Sequence, residues 1–165
     1  QHPIGADDAR EQRWMRQTLA ATGRWKGDRL VMMPNHDPGR AGIVAAIGKA
    51  RVEPVDHLPR DRWLATLAGA RVIVGNSSAG LIEAAVLKTP CVNVGPRQAA
   101  REHGANVVHC DYGQTNVAAA LTRALDLDLS RMRHPYGNGH TGEKTADLLA
   151  TIALDTIPIR KRNAY

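Results

Sequence analysis

Short apolar runs alternate with helix-forming segments along the whole chain, and this alternation restricts the possible folds more than any other feature. Runs of strand length lie at 28–34, 71–75, 90–95 and 105–110, with a briefer one within 50–59. The segments between them carry apolar side chains at helical spacing over roughly ten residues. Such a sequence predicts βαβ units, and therefore a mainly parallel sheet covered by helices on both faces in three α/β/α layers.

The predicted helices occupy residues 6–22, 41–50, 60–70, 79–88, 97–104, 115–126 and 143–154. At 165 residues the chain is long enough to bury one core, so we expect a single domain over 1–165. A doubly wound domain usually begins with a strand, whereas His2 lies in the first turn with no strand before it. We therefore expect the domain to be truncated at its N-terminal edge.

The net charge of +6 and the isoelectric point near 9.8 raise the question of nucleic-acid binding. We predict no such partner, because the basic residues are scattered apart from a cluster at 160–162 and aromatic residues make up only 4% of the chain. A surface that stacks bases needs aromatic side chains among basic ones. A mild basic excess suits a small polyanionic ligand equally well.

No stretch approaches the length of about 18 uninterrupted apolar residues that a membrane-spanning helix needs, so we predict no membrane association. Cys91 and Cys110 lie in or beside apolar runs, which is typical of buried free thiols in a cytosolic protein. The N-terminus also lacks the order of a signal peptide, and we expect a cytoplasmic location. Neither a CxxC motif nor histidines at ligand spacing occur, so no metal or cofactor is predicted.

Four turns lie where strands end, at residues 2–3, 34–37, 75–78 and 95–98. In open α/β sheets, ligands collect at the carboxyl ends of the strands, so we expect all four turns to open onto one edge of the sheet. The last three are rich in groups that bind oxyanions.

The third turn is the most informative about a ligand. Ser77 and Ser78 supply hydroxyl groups at the start of a predicted helix, where unpaired N–H groups favour phosphate, and Gly80 lets an anion approach the backbone. Glu83 lies about one turn further on, where a carboxylate accepts hydrogen bonds from ribose hydroxyls. Local chemistry alone leaves an alternative open, in which Asn76 or Ser77 simply caps the helix.

The segments around this turn favour the phosphate site. In order along the chain they are QHP at 1–3, PNHDPG at 34–39, HLPRDRWLATLAGARVIVGNSSAGLIEAA at 57–85, TPCVNVGPRQAARE at 89–102 and HPYGNG at 134–139. Together they resemble the C-terminal half of the hydrolysing UDP-N-acetylglucosamine 2-epimerases, which convert UDP-GlcNAc to ManNAc and UDP on the route to sialic acids. The resemblance implies a Rossmann-like domain, the C-terminal half of a GT-B architecture whose active site lies between two such domains.

The resemblance also implies roles for the matching residues. His2 is the catalytic candidate, because it faces the sugar–phosphate linkage in the family pattern. Arg40 stands near a position where relatives often carry a lysine, and it is the weakest candidate. The other residues implied in UDP-sugar binding, together with Gly80 of the turn, are Asn35, His57, Ser77, Ser78, Glu83 and Arg97.

The implied reaction eliminates UDP across C1 and C2 of the sugar, giving a glycal, and then adds water. Negative charge develops on the leaving phosphate, where amide groups, Arg97 and His2 would stabilise it. The unperturbed pKa of histidine lies near neutrality, so His2 is also a candidate proton donor to the leaving oxygen. In the family, carboxylates of the N-terminal domain remove the C2 proton, so the domain alone is expected to bind UDP without turnover.

Three alternatives stay open at this point. A non-hydrolysing epimerase usually carries a basic first turn of the form HRRE, whereas this chain has HPIGAD. A GT-B glycosyltransferase would share the phosphate turn and the ribose glutamate. A stand-alone nucleotide-sugar-binding module would need no second domain. The expected partners are UDP or UDP-GlcNAc, a missing N-terminal Rossmann-like domain and further copies of the chain in a homo-oligomer.

Overall fold

The computed structural model describes residues 1–158 and 160, so Lys161 and Arg162 of the basic cluster lie outside the described residues. The chain forms two compact units, 1–135 and 136–165. The first unit carries every strand among the described residues and every predicted site residue.

The described strands are short and pair only in parallel. They are β1 (Val31–Met32), β2 (Pro54–Val55), β3 (Ile73–Gly75), β4 (Cys91–Val94) and β5 (Val107–Cys110). They form two sheets, β1-β2 and β3-β4-β5. Each consecutive pair within a sheet is joined through a helical or turn segment, as parallel neighbours require. The predicted parallel α/β arrangement is confirmed, but the sheet is in two pieces.

The helices are α1 (Asp8–Thr22), α2 (Arg40–Gly48), α3 (Arg60–Gly69), α4 (Glu83–Val86), α5 (Gln114–Leu125) and α6 (Thr141–Thr151). Five of the seven predicted helices are therefore confirmed with small shifts at their ends, and the other two differ. Asp7 caps α1, because its side chain accepts a hydrogen bond of 2.8 Å from the amide of Arg10.

The predicted helix over 79–88 is broken. A single 3₁₀ turn, Ser78–Gly80, precedes the short α4. Gly80 is buried, and a Cβ atom at this position would overlap the sulfur of Cys91 on β4. The turn thus packs tightly against the sheet, and Glu83 is the first residue of α4 instead of lying within a longer helix.

The predicted helix over 97–104 is wrong. Only a 3₁₀ turn, Pro96–Gln98, forms there. The next backbone bonds, from Ala99 to Pro96 and from Arg101 to Gln98, still span three residues. A segment this short gains too few α-helical bonds to offset the cost of nucleation, and Gly104 lies at its end.

Helix α1 links two buried clusters. Met15 and Leu19 pack with Ile43 and Ile47 of α2, while Ala21 joins the cluster between β4 and α5. Burying each large aliphatic side chain stabilises the fold by about 1.5–3 kcal/mol. The helices thus cover the strands and leave the loops at the carboxyl ends free to build a site.

The second unit is described by itself. It contains α6 and the 3₁₀ turn Leu154–Thr156, and α6 has no buried residue. The predicted helix over 143–154 thus ends three residues early. None of the described helices combines the length and apolar character needed to cross a membrane.

Candidate functional site

His2 lies between the loops that follow β1 and β3. Its backbone N–H donates to the side-chain oxygen of Asn76 at 2.6 Å, directly after β3. Its ring nitrogen Nδ1 accepts a hydrogen bond of 3.1 Å from the amide of Asn35, shortly after β1. Two of the turns predicted to share the sheet edge are therefore brought together on one histidine.

Asn76 fixes the backbone of His2 from both sides. Besides accepting from the N–H, its Nδ2 donates to the His2 carbonyl at 2.8 Å. The Asn76 side chain is fully buried, so these bonds are shielded from competing water. The asparagine thus acts as a two-bond clamp across 74 residues of sequence.

The turn after β4 reaches the same place. Nη1 of Arg97 donates to the Asn76 carbonyl at 3.2 Å, and Nε2 of Gln98 donates to it at 3.1 Å. Gln98 is buried, whereas Arg97 is exposed and retains further N–H groups on its guanidinium. Residues from three of the four predicted turns therefore meet around Asn76.

Burial is the largest influence on the ionisation of His2. It lowers the pKa of His2 to about 4, and the positive charge of Arg97 acts in the same direction. The imidazole is therefore neutral at neutral pH, and the Asn35 amide at Nδ1 leaves the proton on Nε2. His2 therefore offers a hydrogen-bond donor at Nε2, and its role as a proton donor to the leaving oxygen stays a prediction.

We expect the His2 ring to titrate near pH 4 in an NMR titration of the folded protein, against an ordinary histidine pKa of about 6.5. Because the folded-state pKa is lowered, the unfolded state binds more protons between these values. The free energy of unfolding should therefore fall as the pH drops from about 6.5 to 4. In His2→Gln that fall should be shallower. A His2 midpoint near 6.5 would contradict the buried, neutral assignment.

The 3₁₀ turn after β3 holds the predicted phosphate-binding serines. Ser77 caps this turn, since its Oγ accepts a hydrogen bond of 3.4 Å from the amide of Ala79. The capping alternative is thus realised, and the Ser77 hydroxyl still has its own proton to donate. Ser78 is half-buried, and the amides of Gly80 and Leu81 are already paired within the turn.

Gly80 has a packing role in this structure. It lies against Cys91 too closely for a side chain, and its carbonyl accepts a hydrogen bond of 3.1 Å from Asn106. Its lack of a side chain is therefore explained by packing on the sheet, without an approaching anion.

Glu83 points away from the apolar interior. Its carboxylate pairs with the guanidinium of Arg60, the first residue of α3. The Arg60 side chain is 67% exposed and the Glu83 side chain 22% exposed. Exposed ion pairs typically contribute only about 0–1 kcal/mol, so the carboxylate is free to exchange this partner for another.

The remaining predicted residues are Asn35, Arg40 and His57. Asn35 donates from its side chain to Asp37. Within the described part of the chain, Oδ1 of Asn35 and Nε of Arg40 are buried without a hydrogen-bond partner. His57 is exposed and follows β2. Its contact with a ligand stays a prediction.

Sequence reasoning missed the residues that hold the site together. The sequence places Asn76 and Gln98 in turns rich in oxyanion-binding groups and indicates a helix cap for Asn76, but it predicts neither their contacts here nor a role for Arg60. The signal for Asn76 is its position: it directly follows a buried strand, where a polar side chain faces the ends of neighbouring strands. Among the described residues, no three side chains of histidine, cysteine, aspartate or glutamate converge as metal ligands would.

The known proteins to which this chain is similar belong to one family. Residues 1–150 match the sequence model for UDP-N-acetylglucosamine 2-epimerases. The UDP-N,N'-diacetylbacillosamine 2-epimerase (hydrolyzing) of Legionella pneumophila is 36% identical over 140 residues, covering 82% of this chain and 37% of that protein. The UDP-N-acetylglucosamine 2-epimerase of Neisseria meningitidis serogroup B is 31% identical over 119 residues, covering 70% and 32%. The chain thus spans only about a third of these relatives.

A solved structure supports the fold. The crystal structure of the Methanocaldococcus jannaschii UDP-GlcNAc 2-epimerase, in complex with UDP-GlcNAc and UDP, is similar with a TM-score of 0.66. The match covers 87% of this chain and 41% of that chain at 15% sequence identity. The predicted Rossmann-like fold of a GT-B half is confirmed.

Proposed function

Because the chain belongs to the UDP-N-acetylglucosamine 2-epimerase family, we propose that it is the UDP-binding C-terminal domain of a hydrolysing UDP-sugar 2-epimerase. The complete enzyme would convert UDP-GlcNAc and water to ManNAc and UDP. The observation that carries this proposal is the meeting of His2, Arg97 and the serine turn around Asn76 at the carboxyl ends of parallel strands. Ligands of open α/β sheets bind at that edge.

The charges at the site suit a diphosphate. Arg97 is anchored by one N–H and presents the rest of its guanidinium to solvent, in the fork geometry that matches phosphate oxygens. Ser77 and Ser78 add hydroxyl donors. Charge-assisted hydrogen bonds of this kind contribute about 1.5–3 kcal/mol each.

The ribose contact uses Glu83. Its carboxylate is held by Arg60 in the free domain, and the weakness of such a pair lets ribose hydroxyls take the place of the guanidinium at little cost. His57, Asn35 and Arg40 complete the proposed substrate-binding set.

The chemical step that we propose is elimination of UDP across C1 and C2 of the sugar. As the C1–O bond breaks, negative charge forms on the departing phosphate oxygen. The Nε2–H of neutral His2 and the Arg97 guanidinium stabilise that charge without a prior protonation step. The C2 proton passes to a base of the N-terminal domain, and water then adds to the glycal.

We propose that the whole protein contains more than this domain. A second Rossmann-like domain supplies the base, and the 165-residue chain alone binds UDP without turnover. We propose a cytoplasmic homo-oligomer acting in sialic acid synthesis. A related substrate, UDP-N,N'-diacetylbacillosamine, is the second candidate, because the Legionella relative that acts on it matches more of the chain than the Neisseria protein does.

Calorimetric titration of the chain with UDP tests the binding function. We expect Arg97→Ala to weaken UDP about tenfold or more, since it removes a charge-assisted contact to the diphosphate. Gln98 still satisfies the Asn76 carbonyl, so the variant should stay folded. Arg101→Ala, in an exposed arginine four positions on, is the control and should bind UDP like the unchanged chain. Equal affinities for the three proteins would contradict the phosphate role of Arg97.

The ribose contact has its own test. Glu83→Gln should weaken UDP binding but leave binding of inorganic pyrophosphate unchanged, because only the nucleoside diphosphate presents ribose hydroxyls. A parallel loss for both ligands would instead place Glu83 in the folding of the turn. Product analysis of the complete enzyme then separates the reactions: free ManNAc and UDP mean hydrolysis, UDP-ManNAc means the non-hydrolysing reaction, and a glycosylated acceptor means a transferase.

A further inference from the structure

Two histidine side chains meet beside the outer strand of the three-stranded sheet. Nε2 of His109, on β5, lies 3.0 Å from Nε2 of His103, in the loop that leads into this strand. Both residues are exposed. The proposed binding of UDP uses neither of them, so the pair has no role in the site described above.

Neighbouring groups fix the tautomer of both rings. A carbonyl oxygen only accepts, so the 3.0 Å contact between Nδ1 of His103 and the Gly104 carbonyl places the His103 proton on Nδ1. Nδ2 of Asn93 donates to Nδ1 of His109 at 3.0 Å, which places the His109 proton on Nε2. Partial burial and the nearby His103 ring lower the pKa of His109, so its imidazole is neutral at neutral pH. His109 therefore donates the bond between the rings, and His103 accepts it through the lone pair of Nε2.

The spacing of the two Nε2 atoms matches that of two ligands on one metal ion. Bonds from imidazole nitrogen to a metal are about 2.0–2.1 Å long, so two bonds at a right angle hold their nitrogens roughly 2.9 Å apart, and two at a tetrahedral angle roughly 3.4 Å apart. The observed 3.0 Å is close to the right-angle value. The ring planes are inclined by 64° and the ring centroids lie only 4.7 Å apart, so the rings are bent away from a straight line through the two nitrogens. An ion shared by both nitrogens lies beside that line and needs such a bend.

Asn93, which is fully buried, can support the metal-bound form of His109. Binding through Nε2 moves the His109 proton to Nδ1, which then needs an acceptor. Among the described residues, Oδ1 of Asn93 has no hydrogen-bond partner. A half-turn of the carboxamide brings this oxygen to Nδ1, at the expense of the long 3.3 Å bond from Nδ2 to the Gly95 carbonyl. Metal-ligating histidines usually donate their second ring N–H to such an acceptor, and Nδ1 of His103 already donates to Gly104.

We propose that His103 and His109 form a surface site for a divalent transition metal ion that takes ligands at right angles, Ni²⁺ or Cu²⁺. Both ions bind imidazole nitrogen and favour square-planar or tetragonal geometry. Water fills the remaining positions around the ion. The ion replaces the hydrogen bond between the rings, and the His109 proton stays on its ring by moving from Nε2 to Nδ1. The bound ion ties the loop after the Pro96–Gln98 turn to β5.

An NMR titration of the chain with Ni²⁺ locates the site. The paramagnetic ion should broaden the amide signals of His103, Gly104 and His109 at the lowest concentrations, before signals elsewhere in the chain. Mg²⁺, which prefers oxygen ligands, should leave these signals unchanged. Broadening that begins elsewhere, for example at His140 and Glu143, whose side chains also lie 3.0 Å apart, would overturn the proposal.

Calorimetry with Ni²⁺ measures the contribution of each ring. Loss of a group that supports a metal ligand already weakens metal binding about 10–100-fold, so His103→Gln and His109→Gln should each weaken it at least tenfold. His36→Gln, at another exposed histidine, is the matched control and should leave the affinity unchanged. Equal affinities for all four proteins, or no Ni²⁺ binding by the folded chain, would overturn the proposal and leave the rings as a hydrogen-bonded pair. UDP takes no part in these measurements, so their outcome is independent of the proposed function.

Discussion

Replacing Gly42 with alanine is expected to lower the free energy of unfolding by about 3 kcal/mol, the upper range for overpacking a core. A Cβ atom at Gly42 would lie 2.8 Å from the carbonyl carbon of Asp8 and 2.9 Å from its Cα. These are backbone atoms of α1, so α1 and α2 would have to separate. The same separation would break the 3.2 Å hydrogen bond from the Gly42 amide to the Asp8 side chain.

Gly48→Ala is the matched control in the same helix. Nothing lies within 4 Å of its Cβ position, so alanine should be neutral or stabilise the fold by up to about 1 kcal/mol through helix propensity. Urea unfolding followed by circular dichroism measures both variants. Similar changes in the free energy of unfolding at the two positions would contradict the close contact between α1 and α2 at Gly42.

Asn76→Ala is expected to destabilise the fold by about 3 kcal/mol, because it leaves the His2 N–H and carbonyl without partners in a buried place. The same substitution should also weaken ligand binding. Freed from the clamp, His2 no longer keeps its position beside Arg97, so UDP binding should weaken at least tenfold. Urea unfolding and calorimetry on the same sample give both quantities.

Two variants control for this result. Asn116→Ala removes an exposed asparagine that donates a 3.0 Å hydrogen bond to a backbone carbonyl, and it should change stability by less than about 1 kcal/mol. Asn76→Asp retains the acceptor for the His2 N–H but loses the donor to the His2 carbonyl. Its free energy of unfolding should therefore lie between those of the unchanged chain and Asn76→Ala. An Asn76→Ala variant as stable as Asn116→Ala would refute the clamp.

Local pattern was sufficient to predict much of the fold. The apolar runs ending at Gly75 and Gly95 became β3 and β4, and five of the seven predicted helices form. The prediction that several turns share one sheet edge followed from parallel topology alone, and His2 and Arg97 do meet there through Asn76.

Other features depended on contacts between distant residues. The pairing of Asn76 with His2 spans 74 positions, and no local pattern encodes it. The predicted helix over 79–88 is broken because Gly80 packs on Cys91, a tertiary contact that overrides helical propensity. The lowered pKa of His2 likewise arises mainly from burial, which residue type alone does not indicate.

The central claim is that the turns after β3 and β4 hold the diphosphate of a UDP-sugar, and an NMR titration of the chain with UDP tests it most directly. The largest amide shifts should fall on Ser77, Ser78 and Arg97, and inorganic pyrophosphate should shift the same amides, while uridine should leave them unchanged. Saturable UDP shifts confined to other parts of the chain, or no shifts with the fold intact, would contradict the account.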